Sequence, residues 1–194
     1  MSHQRDLDLA YLAGIWDADG YIGLSVNDKK RGSTQYYPRV TFTNTNKVMI
    51  DDVARVLDNE TIGYHISKWD PGSKVNKVRY VLEMVGFRRA FKFLFIMEPI
   101  IRGKQTQAQL LLGFLWSRLR HGKAYQHTPY TADEINIFYA MKELNAKGPI
   151  TLREHTPDAV AFAAKMCSEL RTKGAEAAET MARLARSEGW ERSK

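Results

Sequence analysis

Residues 12–20 read Leu-Ala-Gly-Ile-Trp-Asp-Ala-Asp-Gly, a run of small and apolar residues that ends in two acids and a glycine. Apolar residues at helical spacing predict a helix over residues 6–18, and the glycine supplies its natural stop. The residues at this spacing are Leu7, Tyr11, Leu12 and Ile15. Small residues recur at every fourth position, at Ala10, Gly14 and Ala18, so one helix face is smooth. Such a helix can approach another helix closely and present a carboxylate at its end.

The composition narrows the class of protein. A length of 194 residues suits one domain with a core large enough to need no disulfide or metal. No apolar run approaches the roughly eighteen residues of a membrane span, so no membrane partner is expected. Cys167 is the only cysteine, which excludes an internal disulfide and a cysteine metal cluster and predicts a buried small residue. The net charge of +7 favours an anionic partner, most commonly nucleic acid.

The order of the predicted elements indicates the fold class. Predicted strands cover residues 21–27, 38–44, 63–69 and 77–85. Predicted helices that follow the first one cover residues 47–57, 88–97, 104–120, 131–147, 156–174 and 176–187. Hairpin-paired strands with helices on one face imply an α+β domain with an antiparallel sheet. We expect residues 1–150 to form the core and residues 151–194 to form a C-terminal helical extension packed on it.

Alternation within the strands predicts a sheet with two different faces. Ile22, Leu24 and Val26 share an apolar face, whereas Tyr21 and Ser25 point the other way. The polar side is basic and carries hydroxyl and amide groups. It is consistent with an ordinary solvated face and equally with a β-ribbon that reads bases in the major groove of DNA.

The run at residues 12–20 closely resembles the motif of the LAGLIDADG homing endonucleases and differs from it only at Ile15 and Trp16. The element order over residues 6–145 is also similar to the single-motif members of that family. The resemblance implies an αββαββα core with an antiparallel, DNA-binding β-sheet saddle and extra C-terminal helices. It also implies a site-specific double-strand DNA endonuclease that acts in intron homing by metal-dependent phosphodiester hydrolysis.

The resemblance also assigns roles to individual residues. Asp19 matches the catalytic, metal-binding carboxylate, and the carbonyl of Gly20 is a nearby metal ligand. Lys104 matches the basic residue that favours a hydroxide nucleophile or the developing phosphorane charge. Asn46 stands where some relatives carry a glutamine that positions water. The expected cofactor is Mg²⁺, with Mn²⁺ as a substitute and Ca²⁺ supporting binding without cleavage.

The motif occurs once, and one helix supplies one such carboxylate. The best second candidate, residues 111–118, has an apolar lead and no acidic end. The partner helix is therefore expected from a second copy of the chain, which predicts a homodimer with a near-palindromic target. The expected interface residues are Ala10, Gly14, Asp17 and Ala18. Asp17 is assigned mainly to structure at the helix junction.

The expected partner is double-stranded DNA. The candidate DNA-binding residues are Tyr21, Ser25, Asn27, Lys29, Tyr37, Arg39, Thr41, Thr43, Lys68, Lys77 and Arg79. Arg118 and Arg120 are candidates either for phosphate contact or for a solvated helix end. Two alternative functions stay open at this point: an RNA maturase that binds its own intron RNA, and a DNA-binding regulator that does not cleave.

Overall fold

The computed structural model describes residues 3–27, 34–72, 77–120, 128–146 and 155–174. Lys29 and the predicted helix over residues 176–187 lie outside the described residues. Within the described part, no helix is long and apolar enough to cross a membrane.

The described elements follow the predicted order of helices and hairpin-paired strands. The helices are α1 (His3–Ala18), α2 (Lys47–Asn59), α3 (Phe87–Met97), α4 (Gln105–Leu119), α5 (Ala132–Leu144) and α6 (His155–Thr172). The strands are β1 (Gly20–Asn27), β2 (Gln35–Asn44), β3 (His65–Trp69) and β4 (Arg79–Val85). The α+β class and the αββαββα core are therefore confirmed.

The four strands form one antiparallel sheet in the order β1-β2-β4-β3. β2 begins earlier than predicted and runs through Pro38. A proline fits there because β4 ends at Val85, opposite Arg39, so the missing N–H removes no ladder bond to β4. Pro38 instead accepts a hydrogen bond at its carbonyl from the backbone N–H of Gly86, at 3.2 Å.

The core lies between the apolar face of the sheet and the helices. Trp16 of α1 is fully buried against Phe42 and Phe93, with ring centroids 5.8 and 4.6 Å apart. α4 is buried along nearly its whole length, so it is the central helix of the helical layer. This burial explains why residues 111–118 read as an apolar run without being a second copy of the motif.

α1 is apolar on two faces rather than one. Leu12 and Ile15 are buried as expected, whereas Leu7 and Tyr11 are 49% and 41% exposed. The sequence spacing had grouped all four together. Leu7 and Tyr11 are four residues apart, so they share a second, outward face with the small residues of the helix.

α6 packs on α4 and α5. A Cβ atom at Gly113 of α4 would lie 2.7 Å from the Cα of Ala163, so the two backbones approach each other closely. The carboxylate of Glu98 joins this contact, because it accepts hydrogen bonds from Gln109 (3.0 Å) and Arg171 (2.5 Å). Cys167 is buried here as predicted, and burial raises its pKa to about 12.

Arg118 is neither a solvated helix end nor a phosphate contact. It is buried at the end of α4 and forms an ion pair with Glu134 at 3.2 Å. Its guanidinium also donates to the carbonyl oxygens of Thr128 and Pro129 and lies over the ring of Tyr130 at 4.5 Å. Arg118 therefore fixes the segment that leads into α5.

Candidate functional site

The carboxylate of Asp17 anchors a loop of its own chain at the end of α1. It accepts hydrogen bonds at 3.0 Å from the backbone N–H groups of Arg102 and Lys104. Burial favours its neutral form, but these bonds, a third from Gly103 and the charge of Lys104 prevail and lower its pKa. The structural assignment of Asp17 fits this geometry. Its place in the dimer interface stays a prediction.

The ammonium group of Lys104 caps the C-terminus of α1. Its Nζ donates to the carbonyl oxygens of Trp16, Asp17 and Ala18 at 2.7, 2.8 and 3.3 Å. These carbonyls have no partners within the helix and carry the negative end of its dipole. Burial lowers the pKa of Lys104, while the charges of Asp17 and Asp19 oppose the shift. Lys104 is thus within electrostatic reach of Asp19, and the sequence analysis missed its capping role. A catalytic role of Lys104 stays a prediction.

Asp19 follows directly after α1 and is exposed. Its backbone N–H still donates to the carbonyl of Ile15 at 2.9 Å, so the turn that carries it is fixed. The next residue must be glycine, because a Cβ at Gly20 would lie 2.7 Å from the Cα of Trp16. The motif therefore holds one exposed carboxylate rigidly at the negative end of a helix.

The groups at the end of α1 suit a hard divalent cation. Asp19 offers carboxylate oxygens, and the helix end adds a negative potential. Within the described residues there is no group of three or more Asp, Glu, His or Cys side chains that could hold a metal ion. Asp19 is therefore not part of such a group within the described part of one chain.

Asn46 lies at the same end of the sheet as Gly20, because Gly20 pairs with Phe42 near the end of β2. Its side-chain oxygen accepts a hydrogen bond from the N–H of Val48 at 3.0 Å and caps the N-terminus of α2. This is a structural role that the sequence analysis missed. Water positioning by Asn46 stays a prediction.

The outward face of α1 is smooth and apolar. Ala10, Gly14 and Ala18 are exposed in line with Leu7 and Tyr11. A Cβ at Gly14 would meet no atom within 4 Å. Nothing in the described part of this chain therefore requires a glycine at that position.

The second face of the sheet is polar, as predicted. Its described members include Tyr21, Ser25, Gln35, Tyr37, Arg39, Thr41, Thr43, His65, Ser67, Trp69, Arg79 and Glu83. Asn27 pairs with Gln35 at one end of this face, and exposed Lys77 precedes β4 at another. Thr41 is an exception to the expected accessibility, since it is only 7% exposed between its neighbours in the sheet. Burial raises the pKa of Tyr21, and Arg39 opposes the shift.

Lys68 does not share this face, which corrects the grouping with Arg79. Lys68 lies on the edge strand β3 and pairs with Tyr80, so its side chain belongs to the opposite face of the sheet from Arg79. Its ammonium group lies 3.9 Å from Asp70. The error arose because the alternation of β3 is too short to set its register from sequence.

Two contacts on the polar face were not predicted. Arg39 and Glu83 form an ion pair at 2.7 Å, and the guanidinium of Arg79 lies over the exposed ring of Trp69 at 4.1 Å. Arg79 and Glu83 are four residues apart within β4, and this even spacing could have placed both on one face. The pairing of β3 with β4 was needed to bring Trp69 beside Arg79.

The N-terminal half of the chain is similar to a known family of domains. Residues 6–97 match the family model described as a LAGLIDADG-like domain. Over these residues the chain is similar to LAGLIDADG-like domains. A search of curated proteins finds no match. The resemblance to LAGLIDADG homing endonucleases inferred from the motif is thereby confirmed.

Solved structures share the fold of this chain at low identity. The homing endonuclease I-CvuI, in complex with its target in the presence of Ca, is 18% identical with a TM-score of 0.59, covering 89% of this chain and 98% of that one. The archaeal intron-encoded I-Vdi141I, complexed with DNA, is 15% identical with a TM-score of 0.56, covering 83% and 97%. I-SmaMI, bound to cleaved DNA, is 14% identical with a TM-score of 0.53, and covers 78% of this chain but only 47% of its own.

Proposed function

We propose that this protein is a homodimeric, divalent-metal-dependent DNA endonuclease that cuts a long, near-palindromic site. The observation that carries the proposal is the position of Asp19, which is exposed at the Lys104-capped end of α1. The outward face of the same helix is apolar and has open space at Gly14.

A helix that is apolar on both faces is expected to be buried on both. One face of α1 packs in its own core, so its stripe at Ala10, Gly14 and Ala18 suits a second copy of the helix. An isologous contact between two α1 helices would bring both Asp19 carboxylates towards one axis. The chain aligns with nearly all of I-CvuI and with about half of I-SmaMI, which supports a unit that acts as one of two.

The residues of this chain suit hydrolysis of a phosphodiester bond. A divalent cation bound at Asp19 would stabilise charge on the attacking and leaving oxygens. Asp19 and the carbonyl of Gly20 would hold the cation, and Lys104 holds the helix end that positions Asp19. The ammonium group of Lys104 also adds positive potential beside the phosphate. Mg²⁺ is the proposed cation, and the solved I-CvuI structures include one with Mg and one with Ca.

The polar face of the sheet is the proposed DNA-binding surface. Arg39 and Arg79 provide cationic groups, and the surrounding hydroxyl and amide groups can contact base edges. Strands of about eight residues span roughly 26 Å, or about eight base pairs. Two copies of this face would cover a site approaching two helical turns.

The proposal is tested with Asp19→Asn on a target selected from a random palindromic library. The variant should cleave at least ~1,000-fold more slowly in Mg²⁺, equivalent to about 4 kcal/mol of barrier, because an amide is a poor ligand for a hard cation. Its affinity for the target in Ca²⁺ should stay within about threefold of the wild type. Asp158→Asn, which removes an exposed acid from α6, is the matched control and should cleave normally.

Undiminished cleavage by Asp19→Asn would remove the proposed metal site. Selective binding by the wild type without cleavage in Mg²⁺ or Mn²⁺ would support the regulator instead. RNA binding in the absence of DNA binding would support the maturase.

A further inference from the structure

Glu83 places a negative charge on a surface proposed to bind a polyanion. It lies on β4 within the sheet, between Thr41 of β2 and His65 of β3. Among the described strand residues of the polar face, it is the one acidic residue. A carboxylate at this position repels phosphate, so its presence calls for a specific role.

The partner of Glu83 is Arg39, on the neighbouring strand. Nη2 of Arg39 donates to Oε1 of Glu83 at 2.7 Å, and the side chains are 47% and 22% exposed. An ion pair this exposed contributes little to folding stability. It does restrict the guanidinium, whose fork carries five N–H donors, to one orientation over the sheet.

The edge of a G·C base pair in the major groove matches this pair of groups. Guanine presents its O6 and N7 acceptors to an arginine fork, and cytosine presents the N4 amine to a carboxylate oxygen. In an A·T or T·A pair the N6 amine of adenine stands where guanine presents O6, so it faces the donors of the arginine fork. The carboxylate then faces an acceptor, thymine O4 in one orientation and adenine N7 in the other, and is repelled by it. An Arg–Glu pair held side by side is therefore a reader for one G·C pair.

We propose that Glu83 is a specificity-determining residue, which rests on the proposed function. It positions Arg39 for a guanine, accepts a hydrogen bond from the paired cytosine, and weakens binding to DNA of other sequences. In a two-fold dimer this fixes one G·C pair in each half-site. Arg79 has a different role, because its contact with the ring of Trp69 leaves its charge available for phosphate.

The test compares Glu83→Gln with the wild type in two binding assays in Ca²⁺. The first selects half-sites from a library randomised at every position. Glu83→Gln should lose about tenfold of its G·C preference at one position per half-site, equivalent to about 1.4 kcal/mol. The second titrates random-sequence duplex, which the variant should bind about three- to tenfold more tightly because a repulsive charge is gone.

The matched control is Glu169→Gln on α6, in the helical layer. Glu169 pairs with Arg120 at 3.2 Å and has a similar exposure of 26%. The substitution makes the same change in charge and breaks the same type of ion pair. It should leave the affinity and the base preference unchanged.

Arg39→Lys tests the same G·C preference through the other member of the ion pair. A lysine keeps the charge but cannot make the bidentate contact, so the preference should fall at the position affected by Glu83→Gln. Retention of that preference in both variants would overturn the inference while the proposed function stands. Failure of the wild type to select any DNA sequence would overturn the proposed function itself.

Discussion

α1 and α4 are both apolar helices with a glycine in the middle, and the two glycines have opposite surroundings. A Cβ at Gly113 of α4 would lie 2.7 Å from the Cα of Ala163 in α6. A Cβ at Gly14 of α1 would meet nothing within 4 Å. The backbone that packs against Gly113 therefore belongs to the same chain, whereas no backbone of the described residues packs against the Gly14 face of α1.

The difference matters because glycine within a helix costs about 1 kcal/mol relative to alanine. At Gly113 the close approach of α6 offsets that cost. At Gly14 no contact within the described chain does so. The proposed dimer supplies a contact of the same kind at Gly14, between two copies of α1.

The largest expected effect is on assembly. Gly14→Leu should weaken the dimer at least ~100-fold, or about 2.7 kcal/mol, because a side chain would hold the two helices apart. Sedimentation measures the change, and target cleavage should fall with it. The thermal stability of dilute, monomeric protein should not fall and should rise slightly, because leucine favours a helix more than glycine does. Gly174→Leu, at another position with open space around it, is the control and should leave the dimer intact.

An unchanged dimer in Gly14→Leu would break the comparison, since the space at α1 would then have no role in assembly.

The next effect concerns the fold of one chain. Gly113→Ala should destabilise the protein by about 1–3 kcal/mol, because the added methyl group overpacks the contact with Ala163. Chemical denaturation measures the loss, and Gly174→Ala should change stability by less than about 0.5 kcal/mol. A stabilised Gly113→Ala would show that α4 and α6 have room to separate.

The smallest effect separates the two acids at the end of α1. Asp17→Asn should lower stability by about 1–2 kcal/mol at neutral pH, because the carboxylate accepts backbone hydrogen bonds that an amide cannot fully replace. Chemical denaturation at a series of pH values measures the loss. Asp19→Asn serves as the comparison and should not reduce stability, since Asp19 is exposed.

The pH dependence of the Asp17 effect follows from its lowered pKa. A group with a depressed folded-state pKa stabilises the protein above its unfolded pKa, which for aspartate is about 3.9. The difference between wild type and Asp17→Asn should therefore be complete above about pH 4. It should vanish as the pH falls through the folded-state pKa of Asp17. A difference that persists in strong acid would assign the effect to packing.

Much of the fold was predictable because its signals are local. Alternation over β1 separated Ile22 and Leu24 from Tyr21 and Ser25, and the structure confirms both faces. The spacing of Ala10, Gly14 and Ala18 predicted the exposed stripe of α1. Such patterns depend on the fixed periods of strands and helices, so they can be read without knowing the partner elements.

Other assignments failed because they depend on residues distant in sequence. Arg118 resembled a solvated helix end until α5 brought Glu134 to it. The sequence did not predict that the backbone N–H groups of Arg102 and Lys104 would bind the carboxylate of Asp17. The sequence grouped Lys68 with Arg79, but the register of β3 places Lys68 on the opposite face of the sheet.

The sequence by itself determined that α1 has a smooth face and is followed by Asp19, because both follow from local residue types and the period of a helix. Only the tertiary structure decided which polar groups satisfy one another. Lys104 caps α1 and Glu83 holds Arg39 because hydrogen bonds and ion pairs form between groups that folding brings within about 3 Å. That proximity is set by the packing of helices and the register of strands far apart in the chain.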